Sequence, residues 1–187
     1  MHSIIAICEQ ICYNSFMIIA FCGHSKLEYD EKTEKKLLSV LIDLAKTNPL
    51  VLYCGGYGKF DLLAKQCGKR LKKLFPETKV IFVTPYISEV YLKNKYAGEY
   101  DEVLYPEIEN VPKKYAIVKR NQYMVRQSDF VIAYVTLKFG GAYEMLNYAN
   151  KLGKKYINLA ENKKVARCAA FRLSFFEVFL FGGVAAA

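Results

Sequence analysis

The stretch LVLYCGGYGKFD, residues 50–61, decides the fold. Its first five residues are apolar and of the β-branched, aromatic and leucine type that a buried strand accepts. Gly55, Gly56 and Gly58 then place three glycines in four residues. After them Phe60, Leu63, Ala64, Cys67, Leu71 and Leu74 recur at helical spacing, while Lys65, Lys69, Arg70, Lys72 and Lys73 fill much of the rest. A strand, a glycine-rich turn and an amphipathic helix in succession make half of a βαβ unit.

Working outward, the same alternation covers most of the chain. Short apolar runs stand at 17–22 (MIIAFC), 79–84 (KVIFVT), 102–105 (EVLY), 129–135 (DFVIAYV) and 155–159 (KYINL). Helical spacing fills 31–46, 60–75, 112–127 and 141–152, with Gly153 placed to cap the last. Strands alternating with helices imply parallel pairing and right-handed crossovers. The expected architecture is α/β, a Rossmann-like three-layer sandwich with a mostly parallel sheet. The segment 85–101 is the least regular and reads as a lid or a surface excursion.

The 187 residues suit one domain with short extensions. The expected division is an N-terminal extension over 1–16, a Rossmann-like domain over 17–160 and an apolar tail over 161–187. Residues 1–16 lack a basic leader and are interrupted by Glu9, Gln10 and Asn14, which argues against a secretory signal. The tail is interrupted by Glu177, leaving too short a run for a membrane span.

Lys and Arg outnumber Asp and Glu by 27 to 18, a formal charge of +9. That balance suits anionic partners: nucleotides, nucleic acid or an acidic membrane surface. The six cysteines (Cys8, Cys12, Cys22, Cys54, Cys67, Cys168) form no CxxC, and the histidines are His2 and His24. No metal or other cofactor is implied, and a reducing cytoplasm is the expected location.

In an open parallel sheet, ligands bind beyond the carboxyl ends of the strands. Three loops there can carry chemistry. Gly23 and His24 follow the first run; the glycine allows close backbone approach, and the imidazole can donate to a phosphate or move a proton. Gly55, Gly56, Tyr57 and Gly58 precede a helix whose first turn holds Asp61, suited to the helix dipole or to a ribose hydroxyl. Gly140 and Gly141 open another helix, followed by Tyr143 and Glu144. Between these loops Arg120 can clamp a phosphate. Tyr57 and Tyr143 can stack on a base.

In combination, FCGHS, YCGGYGKFD, YPEIENVPKKYAIVKRNQYMVRQSDFVIAYV and FGGAYEMLNYANKLGKKYINL resemble the YpsA-like branch of the SLOG superfamily over residues 17–159. The resemblance implies a Rossmann-like fold and a nucleotide or nucleotide-derived ligand. The superfamily also holds the Lonely guy phosphoribohydrolases and the DNA-binding DprA proteins. Arg120, Met124, Ser128 and Asp129 match the phosphoribohydrolase pattern of an Arg-x-x-x-Met helix and a Ser-Asp. Gly140 and Gly141 match the start of its glycine-rich loop, but no second Gly-Thr follows and the family's glutamate falls at Asn147.

Three readings follow. The first is a binding module or sensor for a nucleotide-like ligand, held by Gly23, His24, Gly55, Gly56, Tyr57, Gly58, Asp61, Arg120, Gly140, Gly141 and Tyr143. The second is a hydrolase of N-glycosidic bonds in nucleoside monophosphates, with Glu144 and Arg120 as catalytic residues. The third is a nucleic-acid binder using the lysine-rich face of 65–73. A homo-oligomer is compatible with all three.

Overall fold

The computed structural model describes residues 16–26, 28–88 and 99–161. Along the chain run β1 (Met17–Gly23), α1 (Glu31–Ala45), β2 (Leu50–Cys54), α2 (Lys59–Lys72), β3 (Lys79–Val83), β4 (Glu102–Leu104), α3 (Lys113–Gln127), β5 (Phe130–Tyr134), α4 (Gly141–Lys151) and β6 (Lys155–Asn158). The six strands form one sheet in the order β4-β3-β2-β1-β5-β6. Every neighbouring pair is parallel.

The strands alternate between two cores. Ile19, Phe21, Leu52, Cys54, Val80 and Phe82 face α1 and α2, through Leu37, Leu41, Phe60, Leu63, Cys67 and Leu71. Ala20, Cys22, Val51, Tyr53, Ile81, Val131 and Ala133 face α3 and α4, through Met124, Val125, Met145 and Ala149. Burial on both faces is why all five residues of β2 are inaccessible and why its sequence is an unbroken apolar run. The result is the three-layer α/β sandwich.

The edges follow local chemistry. Asp30 caps α1, its carboxylate accepting from the Thr33 amide at 2.8 Å and the Thr33 hydroxyl at 2.6 Å, with Glu31 and Glu34 in the first turn. Helix α2 stops at Lys72 rather than at residue 75: the Lys73 and Leu74 amides turn back to the Arg70 and Leu71 carbonyls, three residues behind, and Pro76 follows. The 102–105 run gives a three-residue edge strand, partly exposed. Asp129, just before β5, holds the sheet at this seam: its carboxylate accepts from the Ile18 amide at 2.8 Å and its own amide donates to the Ile18 carbonyl. That tie sets the register of β1 against β5.

The chain builds β1 to β4 outward on one side, then crosses to β5 and β6 on the other. The topological switch therefore lies between β1 and β5, where diverging loops leave a crevice. Among the described residues, no helix is long and apolar enough to cross a membrane. The expectations for residues 1–15, for 162–187 and for most of the 85–101 excursion lie outside the described residues.

Candidate functional site

A cavity of about 430 Å³ opens at the switch point. Its wall is built by the β1–α1 loop (Gly23, His24, Ser25, Lys26), the β2–α2 loop (Gly55, Tyr57, Asp61), the inner face of α3 (Ile117, Arg120, Asn121, Met124) and the β5–α4 junction (Leu137, Phe139, Gly140, Gly141, Ala142). That volume lies within the range of small-ligand sites.

Two helices begin at this wall with the same backbone. Gly58 and Gly140 precede α2 and α4 with φ of 88° and 86°, a region that excludes side chains other than glycine at low cost. Their surroundings differ. The first helical bond of α4 runs from the Glu144 amide to the Gly140 carbonyl at 3.0 Å, so the amides of Gly141, Ala142 and Tyr143 precede the ladder. A Cβ added at Gly141 would meet nothing within 4 Å. Packing among the described residues therefore does not require this glycine. At α2 the loop is already engaged: the Asp61 carboxylate accepts from the Tyr57 amide at 2.9 Å and the Gly55 amide at 3.3 Å.

Gly55 has a packing reason instead. A Cβ there would strike the Arg120 guanidinium. Arg120 is only 1% exposed and is no solvated helix charge. Its Nη1 donates to the Val83 carbonyl at 3.0 Å, and its guanidinium lies 5.5 Å from the centre of the Tyr57 ring. Burial pushes the Asp61 carboxyl above its usual range, while Arg120 and the two loop amides pull it back down. A buried cation thus balances a half-buried anion on the floor of the cavity.

His24 ties two loops together. Its Nε2 accepts from the Thr136 and Leu137 amides, both at 3.2 Å, and its carbonyl accepts from the Tyr29 hydroxyl at 2.6 Å. Only a neutral imidazole can accept at Nε2. Desolvation accordingly holds its pKa below the ordinary value. A depressed folded pKa gives stability that is complete above the unfolded value near 6.5 and is lost as pH falls toward the folded one. We expect the wild-type Tm to fall by about 2–4 °C more than that of His24→Gln between pH 7 and pH 5, since the two hydrogen bonds are together worth about 1 kcal/mol. Gln keeps an acceptor and does not titrate. Parallel pH profiles for the two proteins would remove this role.

The remaining expected residues separate. Gly56 and Gly58 shape the turn without lining the cavity: a Cβ at the first would strike the Phe82 ring, and at the second the Ser25 backbone. Tyr143 packs against the α3–α4 core. Glu144 is exposed and not among the lining residues; its neighbour Met145 is the one that faces inward. Among the described residues that line the cavity, Asp61 is the only carboxylate. The Cys22 thiol lines the cavity but donates to the Ala142 carbonyl at 2.9 Å, and burial raises its pKa far above the usual range, so it is not a ready nucleophile. Cys54 and Cys67 are likewise buried free thiols.

The lysine-rich α2 is largely matched by carboxylates. Lys65 pairs with Glu99, Arg70 with Glu34 and Lys72 with Asp101. The apolar rim was missed from sequence: Phe139 is 68% exposed and Leu137 41%, both at the cavity mouth. Their signal was two large apolar residues in a glycine-rich loop that has no core to enter.

Comparison with solved structures returns the same architecture. DNA processing protein A from Helicobacter pylori, described for its single-stranded DNA binding mode, aligns with a TM-score of 0.53 at 20% identity, over 75% of this chain and 63% of that one. The molybdenum cofactor binding protein of the phototrophic bacterium Rippkaea orientalis aligns at 0.51 and 19% identity, over 76% and 75%. The molybdenum cofactor carrier protein of Chlamydomonas reinhardtii aligns at 0.50 and 16%, over 76% and 75%. These likenesses show the fold. The chain spans less than two thirds of the DNA processing protein's length. No protein-family model matches the sequence, and no curated protein matches it.

Proposed function

We propose that this protein binds a nucleotide or nucleotide-derived ligand in the switch-point cavity and acts as a sensor or regulatory module of the YpsA-like SLOG type. The observation that carries the reading is Gly141, a helix-opening glycine facing open space beside three amides that precede the helical ladder. A phosphate placed there meets the positive end of α4. Arg120 adds positive charge from the cavity floor, and Asp61 offers an acceptor to a sugar hydroxyl. Leu137, Phe139 and Ile117 supply an apolar surface for a ring. The solved neighbours support a ligand-binding use of the scaffold, since one binds single-stranded DNA and another molybdenum cofactor.

The hydrolase reading lacks a carboxylate in the required place, because Glu144 stands outside the cavity wall. The nucleic-acid reading loses much of its basic face to ion pairs. A thermal-shift screen against nucleoside mono- and diphosphates, ADP-ribose, NAD and short single-stranded DNA tests all three. A nucleotide that binds the folded state raises Tm with concentration, by RT ln(1 + [L]/Kd) in free energy. Chromatography of that mixture shows intact nucleotide if the protein only binds and free base if it cleaves. A salt-sensitive shift with DNA and none with any nucleotide would overturn the proposal.

A further inference from the structure

The two helix starts that share a backbone are not two phosphate sites. At α4 the amides of Gly141, Ala142 and Tyr143 precede the helical ladder, and Gly140, Gly141 and Ala142 line the cavity. At α2 the equivalent position holds an anion that belongs to the chain. Asp61 reaches back from the first turn and takes the Tyr57 amide at 2.9 Å and the Gly55 amide at 3.3 Å. Those are the donors a second phosphate in the β2–α2 loop would need. Lys59, the first residue of α2, likewise spends its amide on the Ser25 carbonyl at 3.1 Å. The nearby cation is also committed, with Arg120 Nη1 on the Val83 carbonyl and its guanidinium packed on Gly55 and over Tyr57.

We propose that Asp61 is a specificity-determining residue, a built-in anion that fills the amide pocket at α2 and restricts the cavity to ligands with one phosphate. This rests on the ligand reading above. A phosphate directed toward α2 meets a carboxylate of its own sign in a partly desolvated wall, where like charges repel more strongly than in water. A neutral group with a hydrogen to donate, such as a sugar hydroxyl, meets a ready acceptor. The site thus selects a phosphomonoester with a hydroxyl-bearing end over a diphosphate of the same nucleoside. Part of that selectivity is repulsive, which is how a site rejects a ligand it could otherwise hold.

The test is calorimetric titration of wild type and Asp61→Asn with adenosine mono- and diphosphate, with chelator present to remove divalent ions. Asn keeps an oxygen for the Tyr57 amide, drops the charge and releases the Gly55 amide. The wild type is expected to prefer the monophosphate by about tenfold or more, and the variant to bring the two within about threefold. Equal wild-type affinities would overturn the inference, as would a folded variant with the wild-type ratio. If the variant fails to fold, competition on the wild type decides: inorganic pyrophosphate should displace the bound monophosphate no better than phosphate does. Pyrophosphate stronger by about tenfold would overturn the inference. If no phosphate compound binds, the ligand reading itself fails and takes this one with it. Binding without discrimination removes only the role of Asp61.

Discussion

Replacing Arg120 by Met is expected to lower the free energy of unfolding by about 3 kcal/mol, the lower end of the usual cost of stripping a buried charge of its counter-charge, because Asp61 is only half-buried. The methionine fills similar space, so the loss is electrostatic. Asp61 would keep its half-buried carboxylate with no buried cation beside it, and the Val83 carbonyl would lose its 3.0 Å donor. At roughly 2–4 °C per kcal/mol for a chain of this size, Tm should drop by about 6–12 °C. The pair Arg120→Met with Asp61→Asn should recover part of that drop, because the double variant leaves no unbalanced charge. Differential scanning calorimetry of the four proteins closes the cycle. A single Arg120→Met variant with wild-type Tm would show that the cavity floor does not depend on this balance.

Gly141→Asp is expected to separate stability from function. An aspartate in the first turn of α4 complements the helix dipole, and its Cβ meets nothing within 4 Å, so Tm should hold or rise slightly. The same carboxylate would occupy the place proposed for the phosphate, so affinity should fall by about 100-fold or more, corresponding to about 2.7 kcal/mol. Gly141→Ala should give a stable protein with an intermediate loss. Titration with whichever nucleotide shifts the wild-type Tm measures both. Retained affinity in Gly141→Asp would place the phosphate elsewhere.

The fold was legible because its signals are local. Residues 50–61 show a buried strand, a turn and a helix start within twelve positions, and every described strand except the short β4 repeats that pattern of apolar density. The candidate site was legible only in outline. Glycines at strand-to-helix junctions mark where backbone turns, but not what lies opposite. Gly55 and Gly141 look alike in sequence, yet one makes room for a guanidinium and the other faces open space. Arg120 sits among Lys113, Lys114, Lys119 and Arg126 in a helix whose charges do not mark one face, so its burial could not be read from spacing. Asp61 pointed to the helix dipole; that it bends back to the Gly55 and Tyr57 amides is a property of the turn. Glu144 was selected as the nearest carboxylate in sequence, but a helix rotates about 100° per residue and presents Met145 instead.

The seam between β1 and β5 has a consequence for the order in which the protein comes into being. Its ties are between residues more than a hundred apart: Ile18 with Asp129, Cys22 with Ala142, and His24 with Thr136 and Leu137. A chain emerging from the ribosome holds β1, α1, β2, α2 and β3 well before β5 exists, and those elements pair with near neighbours. Domains made in this direction assemble their long-range contacts last, since closing the longest loop carries the greatest entropic cost. The cavity therefore lacks its α3 and β5–α4 walls until the α4 start has been synthesised and docked. A ligand captured there would select finished molecules over nascent ones, and its occupancy would count completed chains.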